Sequence, residues 1–145
     1  HYTGWQRGAY PTADTARSIF DAGTLYVGVD ETGSVWGSMN LNGQQLPEYQ
    51  NGAWTIPAED RQVAVIHTLT IDPARAGQGL ARQMVAFAED TARRQGKTVL
   101  RLDTGTENLP ANRMYPALGY KAAGTVDTFF MGYAQRPLNL YEKKL

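Results

Sequence analysis

The sequence predicts a single α/β (α+β) domain built around a mixed β-sheet, and three observations support this prediction. The chain has 145 residues, a length that suits one domain. Residues 25–41 contain two strand-like runs around a turn, as in an antiparallel β-hairpin. Residues 62–103 follow the order strand, turn, helix, strand, which is a right-handed βαβ unit with a parallel strand pair.

The first predicted helix begins after Thr12 and ends before Gly23, because threonine is a favourable N-cap and glycine commonly follows a helix. Its apolar residues share one face of the helix: Ala16, Ile19 and Phe20. The hairpin follows, with strands predicted over residues 25–29 and 35–41 on either side of the turn sequence DETGS.

Residues 43–60 show no periodicity and are predicted to form a long loop. The loop carries Tyr49 and Trp54, and a long loop with large aromatic residues is more often a functional rim than a plain connector. Its acidic residues could also form a local acidic rim: Glu48, Glu59 and Asp60.

Residues 62–71, QVAVIHTLTI, are apolar and β-branched at nearly every position, which is typical of a central strand covered on both faces. A helix is predicted over residues 78–95, where four residues recur at helical spacing: Leu80, Met84, Phe87 and Thr91. The remaining predicted elements are a strand over 97–103, a short helix ended by Gly119, and strands over 120–127 and 138–145.

Two glycines, Gly77 and Gly79, lie where the central strand gives way to this helix. Glycine permits positive φ and close approach of the backbone, and the amides at a helix start attract anions. The turn lacks the third glycine of the dinucleotide fingerprint, where Arg82 stands, and it also lacks the Gly-Lys-Ser/Thr of a P-loop. Alone, such a glycine pair is more often a tight turn than a ligand site.

Together with its surroundings, the turn resembles the signature of the GNAT superfamily of N-acetyltransferases. That signature is Gln/Arg-x-x-Gly-x-Gly/Ala after a central strand, and Gly79 and Ala81 match its last two positions. VIHTLTIDP is similar to the family's fourth strand, TENLPANRMYPALGY to its later Asn-x-x-Ala-x-x-x-Tyr-x-x-x-Gly-Tyr/Phe segment, and LNLYEKKL to its closing strand. The resemblance covers roughly residues 24–145, and the order of the pieces makes it specific.

The sequence departs from the family pattern in two places. Ala76 occupies the first signature position and the arginine lies one residue earlier, at Arg75, so backbone amides are the expected phosphate contacts. The family's first strand and first helix have no counterpart, and the sequence starts at His1, so we expect further residues upstream. Trp5, Tyr10 and Pro11 are similar to one branch of bacterial members.

The resemblance implies a mixed, mostly antiparallel sheet with helices on both faces and one parallel pair at the acetyl-CoA notch. It implies transfer of an acetyl group from acetyl-CoA to a primary amine of a small molecule or peptide, by direct attack in a ternary complex. The pantetheine arm is expected along Leu69 and Ile71 and near Asn108. The other expected cofactor contacts belong to the turn: Arg75, Ala76, Gly77, Gln78, Gly79, Leu80, Ala81 and Arg82.

Tyr115 matches the family's tyrosine that approaches the cofactor sulfur as a general acid. Its alternative interpretation is an aromatic residue that packs on a helix. Asn108 matches the residue that contacts the pantetheine arm, and it is also a candidate helix N-cap.

His67 resembles a histidine of the arylalkylamine acetyltransferases, two residues before the strand leucine Leu69. That group has a second histidine at the position of Val65. His67 is therefore either the base that takes the amine's proton or a core histidine satisfied by a backbone carbonyl. Strand alternation predicts that it shares a face with Val65 and Leu69.

The composition excludes several function classes. The 14 basic and 14 acidic residues balance, so no basic field predicts nucleic-acid or membrane binding. The absence of cysteine excludes disulfides, thiolate nucleophiles and zinc–thiolate sites, and two histidines are too few for a histidine-built metal site. DTGTEN lacks the residues of a calcium loop, so no metal is expected. Without a signal peptide or an apolar run of about 20 residues, the expected location is cytoplasmic.

Two functions remain open at this point: an acetyltransferase, which Tyr115 favours, and a non-catalytic acyl-CoA-binding or regulatory domain of the same fold, which Ala76 favours. The amine acceptor is not specified by the sequence, and a homodimer is possible. Four aromatic residues would suit an amine pocket, although each is more often ordinary core or rim: Trp5, Trp36, Tyr49 and Trp54.

Overall fold

The computed structural model describes residues 10–130 and 133–145. The helices and strands of this part of the chain are α1 (Ala13–Asp21), β1 (Leu25–Val29), β2 (Val35–Asn42), β3 (Val63–Ile71), α2 (Leu80–Arg94), β4 (Val99–Gly105), α3 (Leu109–Ala117), β5 (Lys121–Phe130) and β6 (Tyr133–Lys144). Short 3₁₀ turns cover Pro47–Asn51, Asp60–Gln62 and Pro73–Arg75. The elements predicted from the sequence are confirmed, with boundaries displaced by a few residues.

The strands form one six-stranded sheet in the order β1-β2-β3-β4-β6-β5. Among the described strands, only β3 and β4 run parallel. They are joined by the crossover helix α2, and the other neighbouring pairs are antiparallel. Leu25 borders a shallow hollow with α1, whereas the next residue, Tyr26, contacts Phe87 of α2. Because adjacent side chains of a strand point to opposite faces, helices lie on both faces of the sheet, as expected.

The helices begin at or close to the positions that the sequence predicts. The Thr12 hydroxyl accepts a hydrogen bond from the Thr15 amide at 3.2 Å, and the Thr15 hydroxyl accepts one from the Thr12 amide, which completes a capping box. Gly79 is the N-cap of α2, and Asn108 caps α3 through its side chain. α1 contributes no buried residue, since Phe20 on its apolar face is 69% exposed.

Two hydrophobic clusters hold the sheet, one on each face. The first packs β2, β3 and β4 against α2 and α3, and includes Met39, Ile66, Met84, Leu102 and Tyr115. The second packs the other face against the 43–60 loop, and includes Tyr49, Val63, Val65, Ala123 and Leu140. The loop that the sequence analysis assigned to a rim is therefore partly core, because Tyr49 is only 2% exposed.

β3 carries a bulge at Thr68. Ser38 of β2 pairs with Thr70, and Asn40 pairs with His67, so two steps along β2 match three along β3. The extra residue, Thr68, has φ 48°, which is unusual for a β-branched side chain. The bulge interrupts the alternation of side chains: Leu69 packs in the α2 cluster, and Val65 in the opposite one. The prediction that Leu69 and Val65 share a face with His67 is therefore wrong.

β3 and β4 separate just before the bulge in β3. Their parallel ladder ends at Ile66 and Leu102. Beyond it, β3 continues paired only to β2, and β4 continues paired only to β6. We call this opening the β3–β4 split; residues 67–71 line one side and residues 103–105 the other. It is the notch that the sequence analysis expected between the parallel strands.

Candidate active site

The turn before α2 presents a series of unpaired backbone donors. The first helical hydrogen bond of α2 runs from the Gln83 amide to the Gly79 carbonyl at 3.2 Å. Within the described part of the chain, the amides of residues 77–82 donate no hydrogen bond. Such donors lie at the positive end of the helix dipole, so this turn is suited to bind an anion.

The backbone conformation at both positions of the turn requires glycine. Gly77 has φ 79° and Gly79 has φ 76°, a region that other residues enter only with strain. A Cβ built at either position would have no heavy atom within 4 Å, so the space in front of the amides is open. As N-cap, Gly79 offers no side-chain oxygen to the free amides, which leaves them available to a ligand.

The side chains of the turn contribute unequally. Gln78 and Arg82 are exposed, Leu80 and Ala81 are half-buried, and Arg82 has no ion pair among the residues described. Arg75 instead forms a salt bridge with Asp30 of the β1–β2 hairpin. Hydrogen bonds from Thr32 and Arg75 hold the pKa of Asp30 well below its usual range. The Arg75 side chain therefore connects the turn to the hairpin.

Asn108 is a helix cap, as its alternative interpretation required. Its Oδ1 accepts a hydrogen bond from the Ala111 amide at 3.3 Å, and its Nδ2 donates to the Thr104 hydroxyl at 3.0 Å. Asn112, which the sequence analysis missed, makes more contacts than Asn108. Its Nδ2 donates to the carbonyl of Gly105 at 2.9 Å, and its Oδ1 accepts from Tyr141 at 2.9 Å. The two asparagines fix α3 against the end of β4 and against β6.

Tyr115 of α3 is 5% exposed and lies in an aromatic cluster. Its ring centroid is 5.7 Å from that of Tyr120 and 5.6 Å from that of Tyr141. Among the described residues, nothing forms a hydrogen bond with its hydroxyl, whereas the Tyr120 and Tyr141 hydroxyls bond to Glu89 and Asn112. Burial, and then the negative charge of Asp103, raises the pKa of Tyr115, so the phenol stays protonated at neutral pH.

His67 stands at the β3 side of the split. Its Nε2 lies 3.0 Å from the Gln44 carbonyl and 3.2 Å from Asn42 Oδ1. That Asn42 atom accepts the Gln44 amide at 2.8 Å, which identifies it as the oxygen. Two acceptors around Nε2 require the proton there and leave the Nδ1 lone pair free. Burial lowers the pKa of His67, although Asp103 and the Gln44 carbonyl oppose this, so the imidazole is neutral at pH 7.

Asp103 stands at the β4 side of the split, and the sequence analysis missed it. The Tyr49 hydroxyl, 54 positions away in the chain, donates to Asp103 Oδ2 at 2.7 Å. Burial raises the pKa of Asp103, while the Tyr49 hydrogen bond and His67 lower it and Glu48 raises it further. The available signal was a carboxylate at the end of the buried strand run VLRLD.

Of the aromatic residues predicted for an amine pocket, Tyr49 reaches the split. Trp54 stacks on Arg101, with the guanidinium carbon 4.1 Å from the ring centroid, and its Nε1 donates to the Tyr49 carbonyl at 2.6 Å. Trp36 packs against the α2 cluster on the opposite face. Trp5 lies outside the described residues.

A buried ionic group holds the 43–60 loop in place. Glu142 Oε1 accepts hydrogen bonds from the Thr55 amide at 2.6 Å and the Ile56 amide at 3.1 Å. Arg101 Nη2 lies 3.8 Å from Glu142 Oε2, and Nη1 donates to Gln45 at 2.7 Å. This group fixes the loop residue Tyr49 over the split. Of the predicted acidic rim, Glu59 pairs with Arg61 and Asp60 accepts from Gln45, which leaves Glu48 near Asp103.

The sequence matches the acetyltransferase (GNAT) family over residues 1–120. The chain belongs to this family. It is 32% identical over 68 residues to an uncharacterised N-acetyltransferase of Methanocaldococcus jannaschii and 33% identical over 76 residues to N-acetyltransferase 8 of Homo sapiens. These stretches cover 47% and 52% of this chain, but only 30% and 32% of the two relatives. The chain therefore spans about a third of the length of these curated relatives.

Solved structures of the family share the fold. A GCN5-related N-acetyltransferase from Kribbella flavida superposes with a TM-score of 0.72 and 23% identity, covering 97% of this chain and 82% of that one. A Salmonella typhimurium protein described as an acetyltransferase, solved with acetyl-CoA, gives a TM-score of 0.71 and 19% identity, covering 98% and 78%. The predicted GNAT-like architecture is thereby confirmed.

Across residues 10–130 and 133–145, no three His, Cys, Asp or Glu side chains come together in a way that could hold a metal ion. In the same ranges, no helix is long and apolar enough to cross a membrane.

Proposed function

We propose that the chain is an N-acetyltransferase that moves the acetyl group of acetyl-CoA to a primary amine of a small molecule or peptide. The observation that carries this proposal is the run of unpaired amides at residues 77–82 beside an open β3–β4 split, in a chain of the acetyltransferase family. The amides suit a pyrophosphate, and the split offers an edge of β3 to an extended ligand.

The backbone would hold most of acetyl-CoA. The amides of residues 77–82 bind the pyrophosphate, and the exposed guanidinium of Arg82 adds positive charge. Backbone groups of Leu69 and Ile71, which no longer pair with β4, bind the pantetheine arm. Asn108 contributes by fixing the start of α3 beside the split. When bound, acetyl-CoA would supply the activated thioester.

The side chains of the split would carry out the proton transfers. An ammonium cannot attack a thioester until it loses a proton, and His67 Nδ1 is the free, neutral base that takes it. The amine nitrogen then forms the amide bond to the acetyl carbon as the carbon–sulfur bond breaks. Overall, an ammonium and a thioester give an amide, a thiol and one proton. The chain has no cysteine to form a covalent intermediate, so attack is direct.

Tyr115 would stabilise the departing sulfur. Its hydroxyl has no competing partner among the described residues, so it is free to donate a hydrogen bond to the thiolate. Its raised pKa lies above the value of about 8.5 that is typical of a thiol, so donation of a hydrogen bond contributes more than complete proton transfer. The predicted general acid is thus better described as a donor to the leaving group.

One observation favours a non-catalytic acyl-CoA-binding domain as the second candidate. Ala76 replaces the signature's arginine or glutamine, and the nearby Arg75 is paired with Asp30. The pyrophosphate would then lack one side-chain contact. Such a domain would bind coenzyme A without using His67 or Tyr115.

Calorimetry with coenzyme A and a thiol-release assay over a panel of primary amines separate the two candidates. The proposal expects coenzyme A to bind and thiol release to depend on the amine. Binding without release for every amine would favour the non-catalytic domain. Absence of coenzyme A binding would contradict both.

A further inference from the structure

We infer that Asp103 binds the ammonium group of the acceptor and selects amines that carry no adjacent carboxylate. The inference rests on the proposed function, because the acceptor is the amine that the transferase would acetylate.

The position of Asp103 is set by the sheet. The parallel ladder ends at Leu102 on β4 and at Ile66 on β3, so Asp103 and His67 are the first residues beyond it on their strands. The two side chains interact electrostatically across the opening of the split. An ammonium bound to Asp103 would therefore lie next to the base that must deprotonate it.

Asp103 differs from the buried glutamates of the chain. Glu89 pairs with Lys143 at 2.8 Å, and Glu142 faces Arg101. Within the described ranges, Asp103 has no Lys or Arg partner, and its Oδ1 has no hydrogen-bond partner at all. Burial disfavours the charged form of Asp103, and an arriving cation whose N–H groups donate to the free Oδ1 offsets that cost.

Among the residues that the structure describes, the groups that face Asp103 make the split negative. Tyr10, Tyr49 and Tyr115 have raised pKa values and are uncharged, and His67 is neutral. Glu48 contributes a second carboxylate. The nearest cation along β4, Arg101, is already balanced by Glu142 and stacked on Trp54. The local field therefore attracts a cation and repels an anion.

This field predicts the substrate class. A simple ammonium neutralises Asp103, whereas an α-amino acid brings its own carboxylate within a few ångströms of Asp103 and Glu48. Like charges at that distance in a half-buried site oppose binding strongly. The acceptor should thus be an amine without a carboxylate on the neighbouring carbon.

A series of three related probes tests this inference by binding, independently of turnover. They are 2-phenylethylamine, its neutral isostere 2-phenylethanol, and phenylalanine, which adds only the α-carboxylate. Ligand-observed NMR in the presence of coenzyme A gives the affinity of each for the wild type, for Asp103→Asn and for Asp21→Asn. Asp21 is exposed on α1 and serves as the matched loss of one carboxylate.

We expect the wild type to bind the amine at least about tenfold more tightly than either other probe, because a hydrogen bond to a charged partner is worth that much. Asp103→Asn should lose about tenfold for the amine and nothing for the alcohol, whereas Asp21→Asn should match the wild type. If Asp103→Asn does not fold, the wild-type preference alone decides. Equal binding of amine and phenylalanine, or no measurable binding of the amine, overturns the inference.

The same experiment separates this inference from the proposed function. Amine selectivity that depends on Asp103, without thiol release for any amine, would overturn the transferase and leave the ammonium site. Thiol release with an amine that Asp103→Asn binds as tightly as the wild type does would support the transferase and overturn the ammonium site.

Discussion

The two halves of the candidate site are built from different parts of the polypeptide. The turn before α2 presents exposed backbone amides from consecutive residues, 77–82. The β3–β4 split presents buried and half-buried side chains from distant positions, since Tyr49 and Asp103 are 54 residues apart. The first, which we call the donor half, depends on local backbone conformation. The second, which we call the acceptor half, depends on the packing of the whole domain. Substitutions should therefore affect the two halves by different routes.

The largest effect on stability is expected in the buried ionic group that holds the acceptor half in place. Glu142→Ala removes a 1% exposed carboxylate, leaves Arg101 without its charge partner and leaves the Thr55 and Ile56 amides without an acceptor. We expect the free energy of unfolding to fall by about 3–5 kcal/mol, measured by urea denaturation. Glu107→Ala, at an exposed position, is the control. A loss below about 1 kcal/mol would show that the loop is not held in this way.

The donor half should instead respond to a single change of backbone and charge. Gly79→Asp places a carboxylate where the amides should bind the pyrophosphate, and calorimetry should show an affinity for coenzyme A lower by about 100-fold or more. Gly96→Asp is the matched control, because Gly96 has nearly the same φ, 75°, and equally open space at the other end of α2. Unchanged affinity in a folded Gly79→Asp would remove the turn from the site.

His67 tests whether the acceptor half supplies the base. His67→Gln should lower kcat/KM for the amine by about 100-fold and leave coenzyme A affinity unchanged. In the wild type, kcat/KM should rise with pH through a pKa below the ordinary histidine value of about 6.5, because burial lowers that pKa and only the neutral imidazole accepts a proton. The variant should lose this acidic limb. A limb that survives would assign His67 to the core, with protons leaving through water.

Tyr115 tests whether α3 supplies a hydrogen-bond donor to the departing sulfur. Tyr115→Phe keeps the ring packing and removes the hydroxyl, so kcat should fall by about 10- to 100-fold, with little change in coenzyme A affinity. Tyr120→Phe removes a hydroxyl from the same cluster that is bonded to Glu89, and it should keep normal turnover. Equal kcat values for the two variants, measured where chemistry limits the rate, would exclude Tyr115 from the reaction.

The smallest effect concerns the bulge from which the split begins. Thr68 has a left-handed backbone conformation, which costs a β-branched residue about 1–2 kcal/mol and which glycine adopts without strain. Part of the stability gained by Thr68→Gly is offset by the larger conformational entropy that glycine loses on folding. Urea denaturation should therefore show that the free energy of unfolding rises by up to about 1 kcal/mol. Thr70→Gly in the same strand should destabilise, since it also loses the 2.8 Å hydrogen bond to Ser38. Destabilisation by Thr68→Gly would mean that the side chain, not the strain, governs this position.

The same contrast explains what could be predicted from the sequence. The glycine turn, the Thr12 and Asn108 caps and the crossover helix are specified by neighbouring residues, and they are confirmed. Nothing in VIHTLTI marks the bulge, because threonine is disfavoured at positive φ and therefore predicts regular strand there. The bulge alone reversed the expected face of Leu69.

The acceptor half was less predictable for a related reason. Asp103 becomes notable only when Tyr49 and His67 are brought beside it, and no periodicity relates the three. Trp54 is an aromatic residue of the kind that lines amine pockets, but in this structure it stacks on Arg101. Side-chain pairing across the core cannot be inferred from spacing in a single chain, whereas helix caps and glycine turns can.

The most direct test of the account is an NMR titration of the ¹⁵N-labelled chain with coenzyme A. The account predicts that the largest amide shifts fall within residues 77–82, with downfield ¹H displacements typical of new hydrogen bonds to an anion, while the amide of Gly96 at the far end of α2 stays in place. Saturable shifts centred elsewhere, with the amides of residues 77–82 unmoved, would contradict a donor site made from backbone at the start of α2.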